Sequence, residues 1–306
     1  MTVSGTAADR DARALSVPKE AARRHALGIA LNLASAVAYS TSGFYTRLIP
    51  LDPWTILFWR GIFAGLFIAG FVVWRYGRQA AQIVRGIGFP GVSAACLSTF
   101  ATIMYINAFR LTSVADVMIM NATTPFIAAA LGWLWFREHE QWSTLAASAA
   151  ALLGTAVMVG GAAHEGHLFG DLLAFGMALC MAGMMVIIRR HSETPMPPAA
   201  GLSALLCPLF VWPLAHPFVA SGTNMLYLVL FGVTQFGLGL LLLALGARLI
   251  SATETALIQA LEVPLGPLWV WLAFREVPAL PTWIGGAIIM AAVAGHVCVS
   301  RRPSEV

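Results

Sequence analysis

The chain has 306 residues, 59% of them hydrophobic and only 10% charged, with a formal net charge of +4 and a mean hydropathy of +0.79. A soluble domain needs helices with one face for water. A chain this poor in charge cannot supply them, so the composition excludes an ordinary globular protein and predicts an all-α polytopic membrane protein. The basic balance then reports on topology and contact with anionic membrane lipids, and nucleic acid is not an expected partner.

Residues 1–25 form a basic tail with Arg10, Arg13, Lys19, Arg23 and Arg24, and no long apolar run or small-residue cleavage site. Such a segment reads as a cytoplasmic tail, not as a cleaved signal peptide. Ten apolar stretches follow, with cores near 27–46, 53–74, 87–109, 114–136, 142–161, 168–188, 200–219, 225–247, 251–274 and 280–299. About 20 helical residues cross a hydrocarbon layer of roughly 30 Å, so ten transmembrane helices are expected. With the N-terminus inside, fourteen Lys and Arg residues fall on the cytoplasmic side, while only Arg47, Arg110 and Arg275 fall outside. That bias places both termini in the cytoplasm.

In chain order, the first stretch carries Asn32, Ser35, Tyr39, Ser42 and Thr46 at steps of three and four. This polar stripe cannot face lipid and is expected against another helix or an aqueous cavity. The second opens at Asp52-Pro53 and holds Trp59 and Arg60, then Gly61 and Gly65, a GxxxG step suited to close helix packing within the molecule. Arg60 lies about 10 Å from the outer end of its helix. From there it either snorkels to the interface or pairs with a substrate carboxylate or an internal acid. Ser98, Thr102 and Tyr105 share a register in the third stretch. The fourth contributes Met118, Asn121 and Thr124, the eighth Gln235, and the ninth Thr255, Gln259 and Glu262. Glu262 sits deeper than Asp116 or Glu254, and is expected either to carry a proton or to form half of a salt bridge.

Other polar features have plainer readings. Arg137-Glu138 and Arg275-Glu276 are helix-end and turn anchors, and Pro195–Pro198 is a stiff turn. Cys96, Cys180, Cys207 and Cys298 read as buried thiols without CxxC spacing, and the loop residues His164, Glu165 and His167 are too few for a metal site. Neither a metal nor a cofactor is expected.

A repeat underlies the ten stretches. An offset of 138 lays Arg110-Leu111 on Arg248-Leu249, Ser113 on Ser251, Asp116 on Glu254 and Asn121 on Gln259. The same offset lays Phe136-Arg137-Glu138 on Phe274-Arg275-Glu276, and nearer the N-terminus an offset of 142 lays Gly28 on Gly170 and Arg47 on Arg189. Each copy holds five stretches, an odd number, so the second is expected to enter the membrane upside down. The units are residues 26–161 and 168–299. Inverted repeats permit alternating access to a site near the bilayer midplane.

The doubled pattern carries a resemblance. The first copy reads Tyr105-Ile-Asn-Ala-Phe-Arg-Leu, then Pro125-Phe-Ile-Ala-Ala-Ala-Leu-Gly132 and Phe136-Arg-Glu138. The second reads Ala247-Arg-Leu-Ile-Ser-Ala-Thr-Glu254, then Leu261-Glu-Val-Pro-Leu-Gly-Pro267, Phe274-Arg-Glu276 and Ile284-Gly-Gly286. Over roughly residues 27–299 these resemble the halves of an EamA-type member of the drug/metabolite transporter superfamily, and Arg60 matches the arginine that the family carries in its second helix. At the subfamily level the chain looks like the bacterial YddG exporters of aromatic amino acids. That resemblance implies an inner-membrane location and outward movement. Val263 departs from the pattern where Pro125 stands in the first copy, which shifts the expected kink of the ninth helix by one residue.

No HExxH, GxSxG, P-loop or dinucleotide loop occurs, so neither an enzyme nor an ATPase is expected. The expected function is secondary transport of a small amphipathic metabolite, an aromatic or other apolar amino acid first. Nucleobase or nucleoside metabolites and drug-like cations are the alternatives, and a membrane scaffold is the alternative of another class. Candidate substrate-binding residues are Tyr39, Ser42, Trp59, Arg60, Thr102, Tyr105, Met118, Asn121, Gln259 and Glu262. A monomer and a homodimer both remain open.

Overall fold

Local capping chemistry sets several helix starts. Asp52 accepts a hydrogen bond from the Thr55 backbone N–H at 3.0 Å with Pro53 in the first turn, and Ser251 caps the Glu254 N–H at 3.0 Å. The computed structural model describes residues 7–112, 114–137, 140–159, 168–275, 277 and 280–300. Among them every regular element is helical: α1 (Ala7–Ser40), α2 (Ser42–Leu48), α3 (Pro53–Tyr76), α4 (Ala80–Arg85) and α5 (Gly88–Leu111). Then come α6 (Val114–Ala122), α7 (Thr124–Phe136), α8 (Trp142–Val159), α9 (Leu168–Arg190) and α10 (Pro197–Val211). The chain closes with α11 (Gly222–Leu230), α12 (Leu238–Gly246), α13 (Ala252–Gln259), α14 (Glu262–Phe274) and α15 (Leu280–Ser300).

Seven stretches among the described residues are long and apolar enough to cross a membrane. They are Pro53–Arg85, Val117–Trp135, Leu168–Arg190, Pro197–Leu214, Gly222–Gly246, Ala252–Phe274 and Leu280–Val299, and Trp142–Val157 is a shorter apolar helix. The protein is therefore a multi-pass membrane protein.

Three predicted spans differ in detail. The first is broken at Thr41 between α1 and α2, and α1 starts well inside the basic tail. The eighth contains a π-helical segment, Phe231–Gly237, between α11 and α12. The seventh ends early, because Pro208 and Pro213 withhold backbone N–H groups and the chain tightens into a short 3₁₀ turn at Trp212–Leu214.

The repeat is legible in the fold. The fourth and ninth stretches both break, and α7 and α14 restart at Thr124 and Glu262, 138 residues apart. The ninth break is one residue longer at its start, where α13 stops at Gln259, so Val263 leaves the restart in place. Arg137 and Arg275 end these helices as the two non-glycine residues with positive φ among those described, at 53° and 59°. Each closes its helix in the left-handed conformation, as the helix-end reading of these arginines requires. Glu138 and Glu276 lie outside the described residues, as do His164, Glu165 and His167.

The largest helix interfaces join α5 to α9, α8 to α15, α3 to α10 and α1 to α12. Two of them share one close contact. A Cβ on Gly28 would meet Ile250 at 2.7 Å, and one on Gly170 would meet Thr112 at 2.6 Å. Gly61 and Gly65 face Pro208 and Leu205 of α10, so the GxxxG step packs internally. Cys207 is buried, Cys96 and Cys180 are partly buried, and Cys298 is exposed, against the expectation that all four are buried. Cys298 falls on an outward face of α15 near its end.

Candidate functional site

Both helix breaks open onto one cavity of about 110 Å³, against about 10 Å³ for two other hollows in the molecule. Asn121, Ala122, Thr124 and Pro125 line it from the first break, and Gln259, Ala260, Glu262 and Val263 from the second. Tyr39, Ser98 and Thr102 add polar groups, while Met181, Met184, Met185, Phe236, Leu240 and Leu243 form an apolar wall. Discontinuous helices aim their ends at such a site, and the N-terminus of a half-helix favours negative charge. The two N-termini here are occupied differently. α7 begins with Thr124, whose hydroxyl donates to the Asn121 carbonyl at 2.6 Å. α14 begins with Glu262, which places a carboxyl group on its own helix end.

The polar stripe of α1 is mostly consumed by helix packing. Asn32 donates to the Gly28 carbonyl at 2.8 Å and Ser35 to the Gly239 carbonyl of α12 at 2.8 Å, and both are fully buried. Tyr39 is the stripe residue that reaches the cavity, lying beside Gly239. Its backbone carbonyl accepts from Gln235 of the π-helical segment at 3.3 Å. Ser42 and Thr46 lie beyond the break at Thr41, on α2 and away from the cavity wall.

Of the ten candidate residues, Tyr39, Thr102, Asn121, Gln259 and Glu262 line the cavity together. Arg60 stands one layer behind, with its guanidinium over Phe236 at 4.4 Å and Phe231 at 5.5 Å. It forms no ion pair with Glu262, and Glu262 forms none with any described residue. Of the two roles expected for Glu262, the salt bridge is not formed among the described residues, where the aromatic faces hold the arginine by cation–π attraction. Tyr105 packs among Ala101, Met177 and Ala108, within electrostatic range of Glu262 and Arg60. Met118 packs with Ile29, Leu257 and Ile289. Trp59 is elsewhere: its indole N–H donates to the Pro217 carbonyl at 3.1 Å and its ring stacks on Phe63. A buried indole N–H needs an acceptor, and the backbone at Pro217 supplies one away from the cavity.

The Gln259 Oε1, Gln235 Oε1 and Arg60 Nε atoms are buried without a hydrogen-bond partner among the described residues. Gln259 thus brings unsatisfied polar capacity to the cavity wall, where a buried unsatisfied group is otherwise costly.

The EamA-like transporter family matches this chain twice, over residues 26–160 and 168–298. The chain belongs to the EamA-like transporter family. Among curated relatives, the S-adenosylmethionine uptake transporter of Rickettsia bellii is 22% identical over 89% of this chain and 94% of its own length. The probable biotin transporter of Pseudomonas aeruginosa is 27% identical over 79% and 87%. Human solute carrier family 35 member G1 is 22% identical over 87% and 77%. A solved crystal structure of a protein shares the fold at a TM-score of 0.78 and 18% identity, over 90% of this chain and 99% of that one. This EamA-like chain is accordingly a membrane transport protein.

A second polar centre of this EamA-like protein escaped the sequence reading. Glu254, set aside as too near a loop, is 5% exposed and hydrogen-bonded to His25 at 3.0 Å and to His296 at 3.1 Å. His296 was detectable, since it is the one ionisable group in an otherwise apolar final stretch apart from Cys298. His25 carried no such signal among the charges of the basic tail.

Proposed function

We propose that this protein exports small zwitterionic, amphipathic metabolites, aromatic amino acids above all, by alternating access across a bacterial inner membrane. The supporting observation is the unequal pair of helix N-termini on one cavity. The N-terminus of α7, which carries no acid and has the Asn121 amide beside it, suits a carboxylate, while Glu262 on α14 suits an ammonium group. The methionines, Phe236 and the leucines of the wall suit a flat apolar side chain. Arg60 is a second carboxylate donor, available when the ring of Phe236 moves aside.

Uptake of an adenosylated amino acid is the second reading. It is favoured by the Rickettsia relatives, named as S-adenosylmethionine uptake transporters, because that compound carries the same zwitterionic end and a flat ring. Purified protein in liposomes, loaded on either side with aromatic amino acids, S-adenosylmethionine or biotin, separates the readings. Flux of aromatic amino acids that falls in Asn121→Ala and Gln259→Ala supports the first. Flux of S-adenosylmethionine or biotin alone overturns it.

The topology belongs to the same proposal: ten transmembrane helices in two inverted halves, with both termini cytoplasmic. It is supported by the charge bias, by the doubled family match and by the matching helix breaks. A single cysteine at Glu193 should react only from the cytoplasmic side and one at Ser221 only from outside. The reverse pattern overturns it.

A further inference from the structure

The cluster of Glu254, His25 and His296 lies outside the cavity, at the end of the molecule that carries Arg189, Arg190 and Arg248. Each Glu254 oxygen faces one imidazole Nε2: Oε2 faces His25 at 3.0 Å and Oε1 faces His296 at 3.1 Å. The carboxylate is 5% exposed and His296 4%, whereas the His25 side chain keeps 35% of its surface open. The three side chains come from α1, α13 and α15, so one carboxylate ties the middle of α1 to the last helix. We propose that His25, Glu254 and His296 form a proton-binding site that latches the cytoplasmic end of the transporter.

The chemistry follows from counting acceptors. An ionised carboxylate presents both oxygens as acceptors, and each imidazole donates one Nε2–H. A carboxylate oxygen that accepts an N–H cannot take up a proton without losing that bond. Acid therefore places the proton on an imidazole, which keeps its Nε2–H donor, gains a charge and ties α1 or α15 more firmly to α13. His25 is the route for that proton, since it alone of the three reaches the surface. Neither α8 nor α12 carries an ionisable side chain, while the C-terminal end of α7, which Arg137 closes, lies beside the start of α13. From α9, Arg189 donates to the Arg248 backbone carbonyl at 3.2 Å, with Arg190 beside it at the helix end. Glu140 accepts from Ser251 at 3.1 Å, the residue that caps Glu254. Glu20, Arg23 and Arg24 of α1 are exposed, as is Cys298 of α15, and Glu262 of α14 opens to the cavity. Among the described residues the ion-pair partners of Glu254 are the two histidines.

This proposal rests on the alternating-access reading, so its test avoids any substrate. In protein lacking the four native cysteines, Ala256→Cys places a thiol on the cavity wall just inside the latch. An impermeant thiol reagent is then applied to each face of reconstituted vesicles between about pH 8 and about pH 5, the range where an imidazole changes charge. With the latch intact, labelling from the cytoplasmic face should fall with acid, by at most about tenfold per pH unit for one proton. Glu254→Gln should label rapidly at every pH. His25→Gln keeps an N–H donor and the fold, and should shift the midpoint of the pH dependence. Labelling that is independent of pH in the parent protein, or a midpoint unmoved in His25→Gln, overturns the latch even where Glu254→Gln fails to fold. Labelling gated by pH without any amino-acid flux would sink the substrate reading and leave the latch standing. Gated labelling from the opposite face alone would overturn the topology instead.

Discussion

The two broken helices share one pattern and differ in packing. From Thr255 to Ala260 all but Gln259 are buried, whereas four of the six repeat-equivalent residues, Met118 to Asn121, are only partly so. α7 packs against α13 and α9, but the repeat-equivalent pair, α14 with α6, makes no comparable interface. Equivalent parts placed in unequal surroundings record a conformation. The halves are closed where α7 meets α13, at the arginine-rich end, and looser where α6 and α14 stand. In the proposed topology that is a transporter shut toward the cytoplasm.

The largest test of this comparison is a matched pair of truncations. Leu257→Ala, at a fully buried position of α13, should cost about 2–5 kcal/mol. Its repeat equivalent Ile119→Ala, only partly buried, should cost less than half as much. Equal melting shifts would dissolve the distinction between a closed and an open end. The next pair should behave alike. Gly28→Ala and Gly170→Ala each push a methyl into the facing chain at under 3.0 Å, so each should lose about 1–3 kcal/mol. A large gap between them would mean that the two crossings are not equivalent.

Exchanging the character of the helix ends sharpens the comparison further. Thr124→Glu gives α7 the acid that α14 already has, and should reduce amino-acid flux at least tenfold, about 1.4 kcal/mol, with expression unchanged. Undiminished flux would remove the carboxylate from that helix end. The smallest effect is expected for Glu262→Gln. No ion pair to a described residue is lost, so the unfolding free energy should stay within about 0.5 kcal/mol of the parent while transport falls. A clear loss of stability would instead point to a partner that Glu262 meets in another state.

Much of this was written in the sequence because the repeat compares the chain with itself. Asn121 over Gln259 marked both breaks, and these residues meet at the cavity. The polar stripe of α1 signalled a helix contact as well as a cavity, yet spacing alone could not divide the two uses. Asn32 bonded back to Gly28 of its own helix against Gly246 of α12, Ser35 bonded Gly239 of α12, and Tyr39 went to the cavity. Pairing across the chain was the least legible. Trp59 found its acceptor 158 residues away at Pro217, and Glu254 found His25 at a separation of 229. No local rule measures such distances, which is why the depth of an acid below a loop proved a poor guide to its burial.

The π-helical segment has one more consequence, for handling a charge in the dark of the membrane. Phe231 and Phe236 are five residues apart, and on an α-helix of 3.6 residues per turn they would point about 140° apart. The wider i→i+5 turn brings them toward one side, where both rings flank the Arg60 guanidinium. Rewinding that single turn would therefore act as a ratchet of one residue. The aromatic clamp would part, and a cation kept in storage would be handed to whatever occupies the chamber beside it.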